Sequence, residues 1–193
     1  MSVQSLTIYC GAKSGNNPNF KKAAYQVGID AARLNKTIVY GGGATGLMGA
    51  VADGVLSENG KVIGVMPRFL TEQEIAHSKV QDMRIVETMH ERKMELEQLG
   101  DAIIMLPGGA GTLEEFFEVF TWGQIGLHQK PIGILNVDGY FDHLKALIIN
   151  AINAGFLEER YLNMLFFKDN LVDMLESFDS YEPVAVRNFH DLK

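Results

Sequence analysis

A single cysteine, Cys10, stands in the whole chain. No internal disulfide can form, and no cysteine-rich zinc site can be assembled. The five histidines lack ligand spacing: "HERKM" is not the H-E-x-x-H of a zinc helix. Basic charge is also scarce. With 17 Lys and Arg against 24 Asp and Glu, the net charge is −7, the wrong sign for a general nucleic-acid surface. No apolar run is long enough to cross a bilayer. The opening "MSVQSLTIYCG" is too polar for a secretory leader, and nothing marks a lipid anchor. These absences set an expectation of a cytoplasmic protein with no metal, no nucleic-acid partner and no membrane partner.

What remains is a chain of 193 residues, 47% hydrophobic, enough for one globular domain with a full core. Short apolar runs ("SLTIY", "KTIVY", "KVIGVMP", "VQDMRIVE", "DAIIMLP", "KPIGILNVD", "MLFFKD") alternate with longer amphipathic segments. The alternation predicts an α/β fold, a doubly wound parallel sheet with helices on both faces. Asn17 and Pro18 read as the cap and first position of a helix running to about Leu34. Thr88 reads as the cap of a helix that Gly100 ends. "RFLTEQEIAHSK" is a less regular connection. No linker or repeat divides the chain, so we take residues 1–180 as the domain and 181–193 as a tail.

In such sheets ligands bind beyond the carboxyl ends of the strands. Three glycine-bearing turns fall there: "CGAKSG", "GGGATG" and "PGGAGT". Gly41, Gly43 and Gly46 spell G-x-G-x-x-G, but the next strand ends "GVMPRF" without the acid that would hold a dinucleotide ribose. A simpler phosphate cradle at a helix start is the better reading, with tight-turn packing as its alternative. "PGGAGTLEE" has no P-loop lysine, yet free N–H groups at that helix start would hold a phosphate. Glu114 and Glu115 then either complement the helix dipole or face a reacting sugar. In "TMHERKMELEQLG", Met89, Arg92, Leu96 and Leu99 share one face at 100° per residue. Arg92 therefore sits on the apolar side, where a charge must be paired. It is either half of a structural ion pair or a cation aimed into a pocket, with Lys93 beside it.

Together these motifs resemble the LONELY GUY family of phosphoribohydrolases, which release cytokinin-type bases from nucleoside 5′-monophosphates and were long mislabelled lysine decarboxylases. The signature P-G-G-x-G-T-x-x-E is complete from Pro107 to Glu115, and "MHERK" carries the companion Arg-Lys motif. The resemblance implies a Rossmann-like fold, a homodimer, no cofactor, and catalytic roles for Arg92 and Glu115. The candidate substrate-binding residues are Ser14, Gly42, Gly43, Met89, Lys93, Gly108, Gly109, Gly111, Thr112 and Glu114. Lysine decarboxylation is not expected, since no site for an electron-sink cofactor is recognisable. A general AMP nucleosidase remains an alternative, as does a carrier of a nucleotide or of molybdenum cofactor. One feature of the sequence itself favours a dimer. Leu113, Phe116, Phe117, Val119, Phe120 and Trp122 spread around one predicted helix more widely than a single sheet face covers. Either a second subunit or the chain's own "FFKDNLVDMLESF" would have to cover them.

Overall fold

The computed structural model describes residues 3–71 and 76–186. The expected connection at 72–75 and the tail at 187–193 lie outside the described residues. In chain order the elements are β1 (Ser5–Tyr9), α1 (Pro18–Arg33), β2 (Thr37–Tyr40), α2 (Gly46–Ser57), β3 (Val62–Pro67), α3 (Arg68–Thr71), β4 (Asp82–Val86), α4 (Met89–Leu99), β5 (Ala102–Met105), α5 (Ala110–Gln124), β6 (Ile132–Leu135), α6 (Asp142–Asn153), β7 (Leu165–Lys168) and α7 (Leu171–Phe178). The caps act where the sequence puts them. The Asn17 side chain accepts from the Asn19 N–H, and the Thr88 hydroxyl accepts from the Glu91 N–H.

Among the described residues seven strands form one sheet, all parallel, in the order β4-β3-β2-β1-β5-β6-β7. The chain winds outward from β1 to β4, returns to lay β5 beside β1, and winds outward the other way. β1 thus pairs with β2 on one side (Leu6↔Ile38) and with β5 on the other (Leu6↔Ala102). The two windings part between β1 and β5, and a crevice must open there above the strand ends.

Because strand side chains alternate, each face of the sheet has its own core. Leu6, Ile8 and Tyr40 pack with α1, α2 and α7. Tyr9, Val39 and Ile103 pack with α4, α5 and α6. This corrects the expected shortage of cover for α5. Phe116, Val119 and Phe120 are fully buried within the chain, and Leu113 and Trp122 are partly buried against the same cluster. Phe117 alone of the six is exposed. Helix α7 is not the cover, since Leu171, Met174 and Phe178 pack on the opposite face; of the expected segment, Phe167 on β7 joins the cluster that holds α5. Leu96 of α4 and Leu144 and Ile148 of α6 join the same cluster as the buried α5 side chains, so the cover comes from neighbouring helices as well as from the sheet. Among the described residues no helix is long and apolar enough to cross a membrane.

Candidate active site

Above the β1/β5 parting lies a cavity of about 430 Å³, within the usual range for small-molecule sites. Its walls come from the loop after β1 (Cys10 to Lys13), the end of β2 (Gly41), α2 (Met48), the first turn of α4 (Met89, Arg92) and the start of α5 (Gly109, Gly111, Thr112, Glu114, Glu115).

The α5 end is the anion-accepting part. Gly109 caps the helix without a side chain, and Leu113 donates back to the Gly109 carbonyl. The N–H groups of Ala110, Gly111 and Thr112 find no acceptor among the described residues, as the first turn of any helix requires. The loop before them is braced from outside, because the Tyr140 hydroxyl donates to the Gly108 carbonyl at 2.6 Å. That carbonyl is thereby engaged away from the free donors.

The "GGGATG" loop behaves differently. The first-turn N–H groups of Leu47 and Met48 in α2 donate to the Gly11 carbonyl at 2.9 and 3.4 Å, so those donors are spent inside the protein. The glycines serve close approach. A Cβ on Gly41 would stand 2.0 Å from Arg92 Nη2, and one on Gly46, at φ +63°, would stand 2.3 Å from the Ala12 carbonyl carbon. Packing thus explains this motif better than an anion cradle.

Opposite the α5 donors lies a pair of buried charges. Arg92 Nη1 stands 3.5 Å from Glu115 Oε1. Its Nε donates to the Val65 carbonyl at 3.2 Å and its Nη2 to the Gly41 carbonyl at 3.5 Å. The apolar-face arginine is therefore paired, as burial demands. Burial pushes the Glu115 carboxyl up to about 7; Arg92 and Lys93 oppose this, and Glu114 and Glu118 add to it. A carboxyl poised near neutrality in a cleft suits acid–base work. Lys93 is locked by two carboxylates, Glu114 Oε1 at 2.6 Å and Glu118 Oε1 at 2.9 Å. Its burial works to lower its pKa, but these bonds outweigh that and raise it.

Of the residues expected from sequence, Met89, Arg92, Gly109, Gly111, Thr112, Glu114 and Glu115 line the cavity together. The others stand apart from its lining. Ser14 lines a separate groove with Lys21, Lys22 and Tyr25. Gly42, at φ +82°, turns against Met66 and Met83, and Gly43 bridges to Ala76. Lys93 and Gly108 sit behind the wall, holding Glu114 and the Tyr140 hydroxyl respectively. Gly41 of the "GGGATG" turn and Lys13 of the "CGAKSG" turn also line the cavity, with Met48 of α2; the sequence marks both turns as ligand-facing, but no local signal singles out Lys13 within its turn or Met48 within its helix.

The model of the family described as "possible lysine decarboxylase" matches residues 48–178. Cytokinin riboside 5′-monophosphate phosphoribohydrolase LOG7 of Arabidopsis thaliana is 39% identical over 178 residues, covering 92% of this chain and 82% of its own. The chain belongs to the LONELY GUY family. A second relative of that family, the probable cytokinin riboside 5′-monophosphate phosphoribohydrolase LOGL9 of Oryza sativa subsp. japonica, is 40% identical over 179 residues, or 93% of this chain and 79% of its own. The LONELY GUY architecture also extends to more distant proteins. The molybdenum cofactor binding protein of Rippkaea orientalis superposes with a TM-score of 0.69 at 20% identity, covering 93% of this chain and 98% of its own. The molybdenum cofactor carrier protein of Chlamydomonas reinhardtii gives 0.70 at 14%, with the same coverage. At such identities the likeness is one of fold.

Proposed function

We propose that the protein hydrolyses the N-glycosidic bond of N6-modified adenine nucleoside 5′-monophosphates, releasing the free base and ribose 5-phosphate. One observation carries the reading. A single cavity holds the free N–H groups at the start of α5 and, one turn beyond Thr112 on the same helix, the buried Glu115 beside Arg92. An anion held at the helix start leaves the sugar of the same molecule near the carboxylate. The relatives' names give the same reaction, and their similarity spans nearly the whole chain.

The residues divide the work. Gly109, Gly111 and Thr112 receive the 5′-phosphate. As the C1′–N9 bond breaks, its electron pair leaves with the base, which takes up a proton, and positive charge gathers on the ribose ring. The Glu115 carboxylate stabilises that charge and draws a proton from the water whose oxygen bonds to C1′. Arg92 holds Glu115 in place and keeps part of the carboxyl ionised. The reaction takes place in the cytoplasm on this reading, and no metal or cofactor enters it.

The test is base release followed by chromatography on N6-isopentenyl-AMP, AMP and adenosine. Both monophosphates should react, the N6-modified one faster. The nucleoside should have a kcat/KM lower by about 10²-fold or more, since binding energy from the phosphate is used at the sugar. Equal rates on adenosine and AMP would reject the phosphate anchor, and preference for AMP would move the assignment to a general AMP nucleosidase.

A homodimer is part of the proposal. Met94 on α4, Phe117 on α5, and Ile125 and Leu127 just after α5 remain exposed. Leu127 is the most exposed of them, at 66%. Such residues are suited to a two-fold contact. Light scattering at micromolar concentration should give twice the chain mass of 21.4 kDa, and Phe117→Glu with Leu127→Glu should give the single chain mass. A wild-type protein at the single mass would reject the dimer; a mutant that stays dimeric would move the contact elsewhere.

A further inference from the structure

The charges around the cavity are nearly all spoken for. Arg92 faces Glu115, and Lys93 is held by Glu114 and Glu118. Lys13 also lines the cavity, and among the described residues its side chain has neither an ion-pair partner nor a hydrogen bond. We infer that Lys13 binds the substrate's phosphate and sets the preference for a phosphate monoester over an uncharged nucleoside. This rests on the proposed hydrolase reading of the same cavity.

The backbone around Lys13 is fixed at the right place. The Gly11 N–H donates to the Pro107 carbonyl at 3.0 Å, which joins the first loop directly to the loop that opens α5. The two backbones also touch there, since a Cβ on Gly11 would stand 3.2 Å from the Gly108 Cα. On the other side the Ala12 carbonyl accepts from the Thr45 hydroxyl at 3.3 Å, and Gly46 presses on the Lys13 N–H group so closely that a Cβ there would be 2.5 Å from the nitrogen. The residue is exposed, so its ammonium is hydrated at little cost before a ligand binds. Its flexible four-carbon stem lets it follow a ligand.

The electrostatics call for such a cation. A phosphate monoester carries about −1.5 to −2 charges at neutral pH, whereas a helix start offers the equivalent of about half a positive charge. Glu114 and Glu115 line the same cavity and repel the anion. Arg92 is committed to Glu115 at the sugar end. Among the described residues that line the cavity, Lys13 is the cation left for the phosphate end.

The experiment measures KM for AMP and N6-isopentenyl-AMP, and the Kd of ribose 5-phosphate by calorimetry. Lys13→Gln should raise all three about tenfold, as expected for one charge-assisted contact, with kcat changed less than about twofold. Lys13→Arg should restore them to within about threefold. Lys22→Gln, which removes the same charge from the neighbouring groove, should leave them unchanged. Unaltered values for Lys13→Gln, or an equal rise for Lys22→Gln, would overturn the assignment, the latter by showing a general field in place of a contact. If ribose 5-phosphate binding depends on Lys13 but no monophosphate yields base, the hydrolase reading fails and the phosphate contact stands. If base is released with a KM indifferent to Lys13, the contact alone fails.

Discussion

Glu115→Gln is expected to lower kcat by about 10³-fold or more while the Kd of AMP changes less than about threefold. The amide keeps the shape of the side chain and loses the charge that meets the ribosyl cation. Single-turnover base release and calorimetry separate the two quantities, and a variant that keeps most of its kcat would mean that another carboxylate does the chemistry. The same group should set the pH profile. With the Glu115 carboxyl pushed up to about 7 by burial, kcat should rise about tenfold per pH unit below that value and level off above it. A flat profile between pH 5.5 and 8.5 would contradict the assignment. Stability should move in the opposite sense. The folded protein binds this proton more tightly than the unfolded chain, so the contribution is fully present below the ordinary glutamate range and is lost as pH rises through about 7. Relative to wild type, Glu115→Gln should therefore gain in melting temperature as pH is raised across that window.

The second large effect is expected from a residue that touches no substrate in the proposed reaction. A methyl group on Gly41 would stand 2.0 Å from Arg92 Nη2, so Gly41→Ala must displace the guanidinium. The chain around it has little room, because Arg92 is itself buried and tied to the Val65 and Gly41 carbonyls. Moving it by an ångström breaks its approach to Glu115. We expect kcat/KM to fall about 10²-fold, in line with misplacement of a catalytic group. Arg92→Ala should do the same, and the double variant should be no worse than the more damaged single one, because both act through one interaction. Circular dichroism and the melting curve check that the fold survives. Additive losses in the double variant would show that Gly41 acts independently of Arg92.

How much of this could be read from sequence follows from how far apart the partners lie along the chain. The strand–helix alternation, the Asn17 and Thr88 caps and the helix start after "PGG" depend on neighbours within a few residues, and all are found. The burial of Arg92 also follows from local helical period, and its need for a counter-charge follows from burial. The partner of Gly41 lies 51 residues away, and no local rule says that a glycine in a G-x-G-x-x-G turn is making room for an arginine. Ser14 misleads for a related reason. It belongs to the same loop as Lys13, but loop residues have no fixed period, and it lines the next groove instead. The wide spread of apolar residues on α5 does not require outside cover for most of them, because side chains of α4 and α6 share the core on that face of the sheet, a contribution that the period of one helix cannot reveal.

The position of β1 also governs the order in which the molecule can assemble. β1 is the central strand, and its second edge is closed only by β5, through pairs such as Leu6↔Ala102 and Thr7↔Ile103. During synthesis the first four strands can form one winding, but Leu6, Ile8 and their neighbours keep an open strand edge until the segment at 102–105 emerges. Contacts of such long sequence separation slow folding and prolong the exposure of aggregation-prone edges. The candidate site inherits this timing. Gly11 and Pro107, joined by a single backbone bond, come from the two windings, so the cavity comes into being only when the halves join. Nascent chains arrested before residue 102 should accordingly depend on chaperones far more than chains arrested after β7.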